Sequence, residues 1–412
     1  MSSSAPRHII VGAGQAGAKA AQALRREGHL GPITLIGAEA DAPYSRPPLS
    51  KEYLLGTAER RSIDILASGW YEVRGVDLRL STRVIDLDPE RHRVTLSTGE
   101  HLGYEKLLLA TGSRVRRLRI PGADLDGVLY MHTVGDSDKI RQTLSTASRV
   151  AIIGGGWIGL ESAAASRMHG VGVTVLEACK LPLQQALGPE VAQYFAALHV
   201  SHGVDLRCEV EVSGLTGVDG RVTGVDLTDG THIDADAVIV GIGVTPRTEL
   251  AERAGLAVDN GVLVDASLRS SHPDIYAAGD IAAAWHPLLG RRVRVEHWTN
   301  ASWQPRVAAR GMLGHEASYD RLPHFFSEQY DLSMEYTGYV GVEGYDQVIF
   351  RGDPESQAYI AFWLRDNRLL AGMSVNIPGV VRDITALVGS GQHFSVAQLA
   401  DSTQSLGALL DT

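Results

Sequence analysis

The chain has 412 residues, 44% hydrophobic and 21% charged, with 45 glycines, which excludes a disordered protein and points to a folded α/β one. Its length predicts two or three domains of about 100–150 residues each, and the net charge of −10 argues against a broad nucleic-acid surface. No apolar run approaches the roughly 20 residues that span a bilayer, and Met1 to Arg7 lacks a signal-peptide core, so a cytoplasmic protein with no membrane partner is expected.

The first predicted element is the β-branched run His8-Ile9-Ile10-Val11. It runs into Gly12-Ala13-Gly14-Gln15-Ala16-Gly17 and an alanine-rich helix, Ala18 to Arg26. In such a turn Gly12 permits the tight bend, Gly14 lets backbone approach a pyrophosphate, and Gly17 lets helix and strand pack closely. A second strand, Ile33 to Ile36, ends near Glu39, 22 residues after Gly17, where a carboxylate can accept hydrogen bonds from a ribose. Val94 to Ser97 reads as a strand of a small sheet.

The same pattern recurs at Val150 to Ile153, followed by Gly154-Gly155-Gly156-Trp157-Ile158-Gly159, a helix from Leu160 to Met168, and the strand Val173 to Leu176 ending at Glu177. Two complete copies imply two dinucleotides, one a resident flavin and the other a diffusible nicotinamide, with hydride passing between them. Glu177 favours a free 2′-hydroxyl over a 2′-phosphate, since two unit charges about 4 Å apart repel by about 4 kcal/mol at a dielectric near 20. Lys180 is close enough in sequence to soften that preference. Val204 to Cys208, Val222 to Val225 and Tyr359 to Leu364 read as further strands. Ser2-Ser3-Ser4 and the last residues read as mobile ends.

Cys179 and Cys208 have 28 residues between them, so they form no Cys-x-x-Cys dithiol, and two sulfurs cannot hold a four-cysteine cluster. They are expected to be small buried hydrophobes. The 15 histidines form no zinc-type motif, and neither a Gly-x-Ser-x-Gly elbow nor a lysine-tailed phosphate loop is present. No metal is expected. Arg114, Arg116, Arg117 and Arg119 form one basic stretch and Arg291, Arg292 and Arg294 another. Each is read either as loop or phosphate-binding arginines or as a docking patch for an acidic partner.

With both loops in view, the sequence resembles the pyridine-nucleotide flavoprotein reductases of the glutathione-reductase type of architecture. Within them it resembles the NAD(P)H:ferredoxin reductases of the putidaredoxin reductase and rhodocoxin reductase type. Further motifs carry the resemblance: Pro43-Tyr44-Ser45-Arg46-Pro47-Pro48-Leu49-Ser50-Lys51, Leu107 to Gly112, Val238 to Pro246, Tyr276-Ala277-Ala278-Gly279-Asp280, Glu296 to Ala301 and Phe325 to Asp331. Ala38, His132, Pro305 and Phe326 depart from the family's usual residues. Disulfide reductases of this architecture carry a cysteine pair in the region of residues 43–51; this chain has none there, so electrons must leave by another route.

The resemblance implies an α/β fold with two Rossmann-like dinucleotide-binding domains, the FAD domain interrupted by the NAD domain, plus a C-terminal α+β interface domain. The expected boundaries are 1–114 and 245–321 for FAD, 115–244 for NAD, and 322–412 for the interface domain. It implies FAD contacts at Gly12, Gly14, Ala16, Gly17, Glu39, Arg46, Lys51, Val84, Ala110, Thr111, Gly112, His132, Asp280 and Trp298. NAD contacts are implied at Gly154, Gly156, Ile158, Gly159, Glu177 and Gly243. Lys51 is the cation expected beside flavin N5, and Glu161 its partner under the nicotinamide; read alone, Glu161 is a first-turn acid facing the helix dipole. The expected activity is hydride transfer from NADH to FAD, then single electrons to a [2Fe–2S] ferredoxin feeding a cytochrome P450 or Rieske-type oxygenase, in a monomer or homodimer. The rivals are an NADH oxidase or rubredoxin reductase, and a redox-sensing interaction protein of the apoptosis-inducing-factor kind.

Overall fold

The computed structural model describes residues 7–410, so the Ser2-Ser3-Ser4 start and the final Asp411-Thr412 lie outside the described residues. The chain divides into two compact units. The first comprises residues up to Arg46, Arg60–Arg114 and Thr245–Pro323; the second comprises Pro47–Glu59, Val115–Val244 and His324 onward.

The first unit is built on a five-stranded parallel sheet in the order Ile275–Ala277, Lys106–Leu109, His8–Val11, Ile33–Ile36, Val76–Arg79. His8–Val11 and Ile33–Ile36 are buried at all four positions, as strands covered on both faces must be. The helix Gln15–Arg26 makes the crossover between them, and its alanines let it sit close to the sheet. Two three-stranded sheets flank this core, one of Val84–Asp88, Arg93–Leu96 and His101–Gly103 and one of Val262–Val264, Ala282–His286 and Arg291–Val293.

A second parallel sheet organises the second unit, in the order Asp205–Arg207, Gly172–Leu176, Arg149–Ile153, Ala237–Val240, Val128–Tyr130. The same unit carries the antiparallel strands Val212–Val218, Arg221–Leu227 and His232–Asp234. Its C-terminal part is a five-stranded antiparallel sheet ordered His324–Gln329, Leu332–Gly338, Arg368–Val375, Ala358–Arg365, Gln347–Asp353, with the helix Val381–Ser390. Buried Trp363 ties that sheet to the part of the unit built on the parallel sheet by donating Nε1–H to the Leu187 carbonyl at 2.9 Å.

The short segment Pro47–Glu59 is bound to the second unit by specific bonds. Ser137 donates to the Leu49 carbonyl at 2.7 Å, the Tyr53 hydroxyl to Asp138 at 2.9 Å, and His169 Nε2 lies 3.2 Å from the Leu54 carbonyl. Those bonds hold Ser50 and Lys51 against the helix Trp157–Met168.

Candidate functional site

In the first unit, three turns converge at the carboxyl ends of neighbouring strands. Gly12 has φ +114°, and a Cβ there would meet the Ala110 carbonyl oxygen at 2.1 Å, so the glycine loop lies directly on the Ala110-Thr111-Gly112 turn. A Cβ on Gly17 would stand 1.9 Å from the Gly12 oxygen, while one on Gly14 would meet nothing within 4 Å. Gly14 is the N-cap of Gln15–Arg26 and, among the described residues, no side chain caps that helix. An open backbone edge at a free helix N-terminus fits a pyrophosphate.

The third turn holds Asp280. Gly279 lies close enough to the first loop that its Cβ would be 3.1 Å from that of Ala16. Burial, and secondarily Glu296, raise the Asp280 pKa to about 6 against the opposing pull of Arg46 and Arg294. Thr111 Oγ1 donates to the Arg247 carbonyl at 3.0 Å. Arg46 Nη2 lies 2.7 Å from Glu39 Oε1, and the Tyr44 hydroxyl donates to Glu39 Oε2, so the acid at the end of the second strand is oriented by its own neighbours. Val84 opens the strand Val84–Asp88 and packs on the core, and exposed Trp298 begins the helix Trp298–Met312. Of the residues expected to contact FAD, Lys51 and His132 belong to the second unit and the rest to the first.

The second loop repeats the first in the second unit. A Cβ on Gly154 would meet the Gly241 oxygen at 2.5 Å, one on Gly159 the Gly154 oxygen at 2.0 Å, and Gly156 is the N-cap of Trp157–Met168. Glu177 Oε2 accepts the Gly155 N–H at 2.6 Å and Oε1 the Cys179 N–H at 2.7 Å. The carboxylate is thus anchored at the loop. Gly243 has φ +94° and its carbonyl accepts the Arg116 N–H at 2.9 Å; Ile158 is exposed on the first turn of the helix. Trp157, read from sequence as part of the loop, is the first helical residue and packs edge-on against Phe195 and Phe325.

Lys51 and Glu161 meet inside this unit. Lys51 Nζ lies 2.8 Å from Glu161 Oε2, with side-chain exposures of 11% and 4%. The reading of Glu161 as a first-turn acid is corrected: it is the fifth residue of Trp157–Met168, facing inward, past the turn where the helix dipole acts. Three donors saturate it, Lys51, the Ser50 hydroxyl at 2.5 Å on Oε2 and the Ser327 hydroxyl at 2.7 Å on Oε1. A buried carboxylate needs such compensation.

The sequence pattern alone assigns no role to Ser50, Ser327, Gln329 or His199. Their signal was present: Ser327 and Gln329 alternate on the buried face of the strand His324–Gln329, where apolar residues are the norm.

The two basic stretches differ. Arg114, Arg116, Arg117 and Arg119 are exposed, although Arg114 pairs with Glu249 and Arg117 covers the Tyr130 ring. Arg292 donates to the Val264 carbonyl at 2.6 Å and so ties neighbouring strands, while Arg294 pairs with Glu296 at 2.5 Å and donates to the Asp280 carbonyl, serving the fold around Asp280. Both cysteines are free thiols and only half-buried, not the buried hydrophobes expected, with pKa values raised first by desolvation and then by Glu177, which disfavours thiolate chemistry. Among the described residues, His92, His272 and Asp274 have metal-ligand spacing, but Lys106 already neutralises the Asp274 carboxylate. No described helix is long and apolar enough to cross a membrane.

Residues 6–304 match the family model described as pyridine nucleotide-disulphide oxidoreductase, and residues 324–410 match the one described as reductase C-terminal. The chain is 41% identical to the ferredoxin–NAD(+) reductase component of an anthranilate 1,2-dioxygenase system from Burkholderia cepacia, over 99% of this chain and 100% of that one. It is 40% identical to rhodocoxin reductase of Rhodococcus erythropolis, over 90% and 86% of the two chains. The crystal structure of a covalent putidaredoxin reductase–putidaredoxin complex superposes with a TM-score of 0.95 at 34% identity, covering 98% of each chain.

Proposed function

We propose, from the premise that the chain belongs to the pyridine nucleotide-disulphide oxidoreductase family, that it is an NADH-dependent FAD ferredoxin reductase. Its electrons go singly to a small [2Fe–2S] ferredoxin that serves a P450 or Rieske-type oxygenase. The observation that carries the reading is the pair of glycine loops, with open space at Gly14 and no atom nearer than 4.0 Å to a Cβ on Gly156, each followed by a fixed acid just after its second strand. It is supported by end-to-end similarity to a ferredoxin–NAD(+) reductase component.

A bound flavin can accept a hydride from a nicotinamide and release the electrons one at a time. The chain supplies the surroundings. Residues 1–114 and 245–321 are assigned to FAD, with Gly14 at the pyrophosphate, Glu39 at the ribose and Asp280 at the ribityl chain. Residues 115–244 are assigned to NADH, with Gly156 at its pyrophosphate and Glu177 at the adenine ribose, and residues 322–412 to the interface domain. Lys51 provides the positive charge that favours an electron-rich reduced ring, and Glu161 holds it.

The family's name refers to a disulfide, yet the two thiols here are weakly acidic and lie in the nicotinamide-binding part, so the exit is assigned to direct transfer to the ferredoxin cluster. The exposed arginines at 114, 116, 117 and 119 are assigned to steering an acidic ferredoxin. A cytoplasmic location is part of the same proposal, supported by the absence, among the described residues, of a helix long and apolar enough to cross a membrane. The test is to release the cofactor by denaturation and identify it, then titrate the reduced protein with a [2Fe–2S] ferredoxin; FAD and reduction of the ferredoxin are expected. Recovery of FMN alone would refute the two-dinucleotide reading.

A further inference from the structure

Glu161 is one end of a longer run of buried polar side chains within the second unit. Its Oε1 accepts the Ser327 hydroxyl at 2.7 Å, and Ser327 Oγ accepts the Gln329 amide Nε2 at 3.2 Å. Gln329 Oε1 lies 2.8 Å from His199 Nε2, and His199 Nδ1 lies 3.4 Å from the Tyr330 hydroxyl. Ser327, Gln329 and His199 are essentially inaccessible to solvent. Such a run is kept inside a protein only when every member is satisfied.

One charge dictates every bond direction. The carboxylate of Glu161, paired with Lys51, can only accept. Ser327 has a single proton and must give it to Glu161, so its oxygen must accept from the NH₂ of Gln329. That turns the Gln329 carbonyl oxygen toward His199, which must then carry its proton on Nε2. Nδ1 is left to accept the Tyr330 hydroxyl. Burial lowers the His199 pKa to about 4 and raises that of Tyr330 to about 12, giving the neutral one-donor imidazole and the intact phenol that this direction requires.

We propose that Ser327, Gln329 and His199 are positioning residues, a one-directional hydrogen-bond chain that fixes the Glu161 carboxylate and, through it, the Lys51 ammonium. This rests on the role proposed above for Lys51. Ser50 and Lys51 both hold Oε2, and Ser327 holds Oε1, so Ser327 fixes the second oxygen and completes the clamp on the carboxylate plane. The helix Pro189–Ser201 and the first strand of the C-terminal sheet thereby acquire a part in setting the charge presented to the cofactor.

Gln329→Glu in the holoenzyme tests this. The new carboxylate matches the amide in size, but when ionised it can only accept, and it takes the Ser327 proton away from Glu161; once protonated it can donate again. Flavin reduction by NADH should be about tenfold slower than wild type near pH 8.5 and recover to within about twofold as the pH falls and the introduced carboxyl protonates, with NADH affinity unchanged. Ser327→Ala should be slow at every pH and Ser327→Thr close to wild type. A second readout needs no turnover: the infrared carboxylate stretch of Glu161, identified by its loss in Glu161→Gln, should shift in Ser327→Ala and Gln329→Glu. A loss in Gln329→Glu that does not vary with pH, or an unmoved band in both variants, overturns the proposal. Lys51→Gln separates the two claims. If it reduces flavin at the wild-type rate, the role of Lys51 fails; if it is slow while Ser327→Ala and Gln329→Glu are normal, the chain alone fails.

Discussion

Glu177 Oε2 accepts the Gly155 N–H at 2.6 Å, so the acid that follows the strand Gly172–Leu176 is bonded to the glycine loop at residues 154–159 itself. The loop and the carboxylate are therefore one rigid device, with Cys179 N–H holding the other oxygen. At the ribose position proposed for it, a negative charge fixed in this way would disfavour a 2′-phosphate.

NADH should accordingly be preferred to NADPH by at least about tenfold in kcat/KM, or about 1.4 kcal/mol. Glu177→Ser should narrow the preference and Glu177→Arg narrow or reverse it. Steady-state kinetics with both cofactors checks this, and equal use of both by the wild type would show that Lys180 or another cation dominates.

Lys51→Ala should slow flavin reduction by about a hundredfold by removing the cation proposed to favour the reduced ring. The loss of a partner for buried Glu161 should also lower the melting temperature, because Ser50 and Ser327 compensate only part of its charge. Rapid mixing reads the first effect and calorimetry the second; a destabilised variant with a normal reduction rate would leave Lys51 a purely structural role.

Much of this was legible in the residues. Both strand–glycine–helix units, the burial of successive strand residues and the acid after each second strand follow from short-range pattern, because each requirement is met within about 30 residues. What was not legible depends on contacts distant in sequence. No local feature shows that Pro47–Glu59 binds Ser137, Asp138 and Glu161. Glu161 reads as a helix-start acid until its helix is seen to begin at Trp157. Arg292 and Arg294 read as free basic residues until the carbonyls of Val264, Ala283 and Asp280 are found beside them.

Acid should destabilise the protein through buried histidines. The pKa of His8 is lowered to about 4, first by burial and then by stacked His29, and that of His199 to about 4 by burial. Both are neutral in the fold, so their contribution is complete above the unfolded value of 6.5 and is lost as the pH falls toward about 4. Each is worth up to about 3 kcal/mol. His8→Leu should therefore show a smaller fall in melting temperature between about pH 7.5 and pH 4.5 than wild type; an equal fall would remove His8 from the account.

Asp280 should behave in the opposite sense. Its folded pKa of about 6 lies above the ordinary 3.8, so the stability it contributes is present below 3.8 and lost as the pH rises through about 6. The flavin-free Asp280→Asn protein should be more stable than flavin-free wild type near pH 8 and no more stable near pH 4. The same change should weaken FAD binding by about tenfold or more through loss of a charge-assisted hydrogen bond. Thermal melts and flavin titration read the two effects separately, and unchanged FAD affinity would remove Asp280 from the cofactor site.

The central claim is that electrons pass from flavin to a ferredoxin without a thiol relay, and a double-mixing experiment on Cys179→Ser/Cys208→Ser tests it most directly. NADH should bleach the flavin, and a [2Fe–2S] ferredoxin mixed in afterwards should restore its absorbance, both within a few fold of the wild-type rates. A variant that bleaches normally and fails to reoxidise would contradict direct transfer and require a thiol in the path.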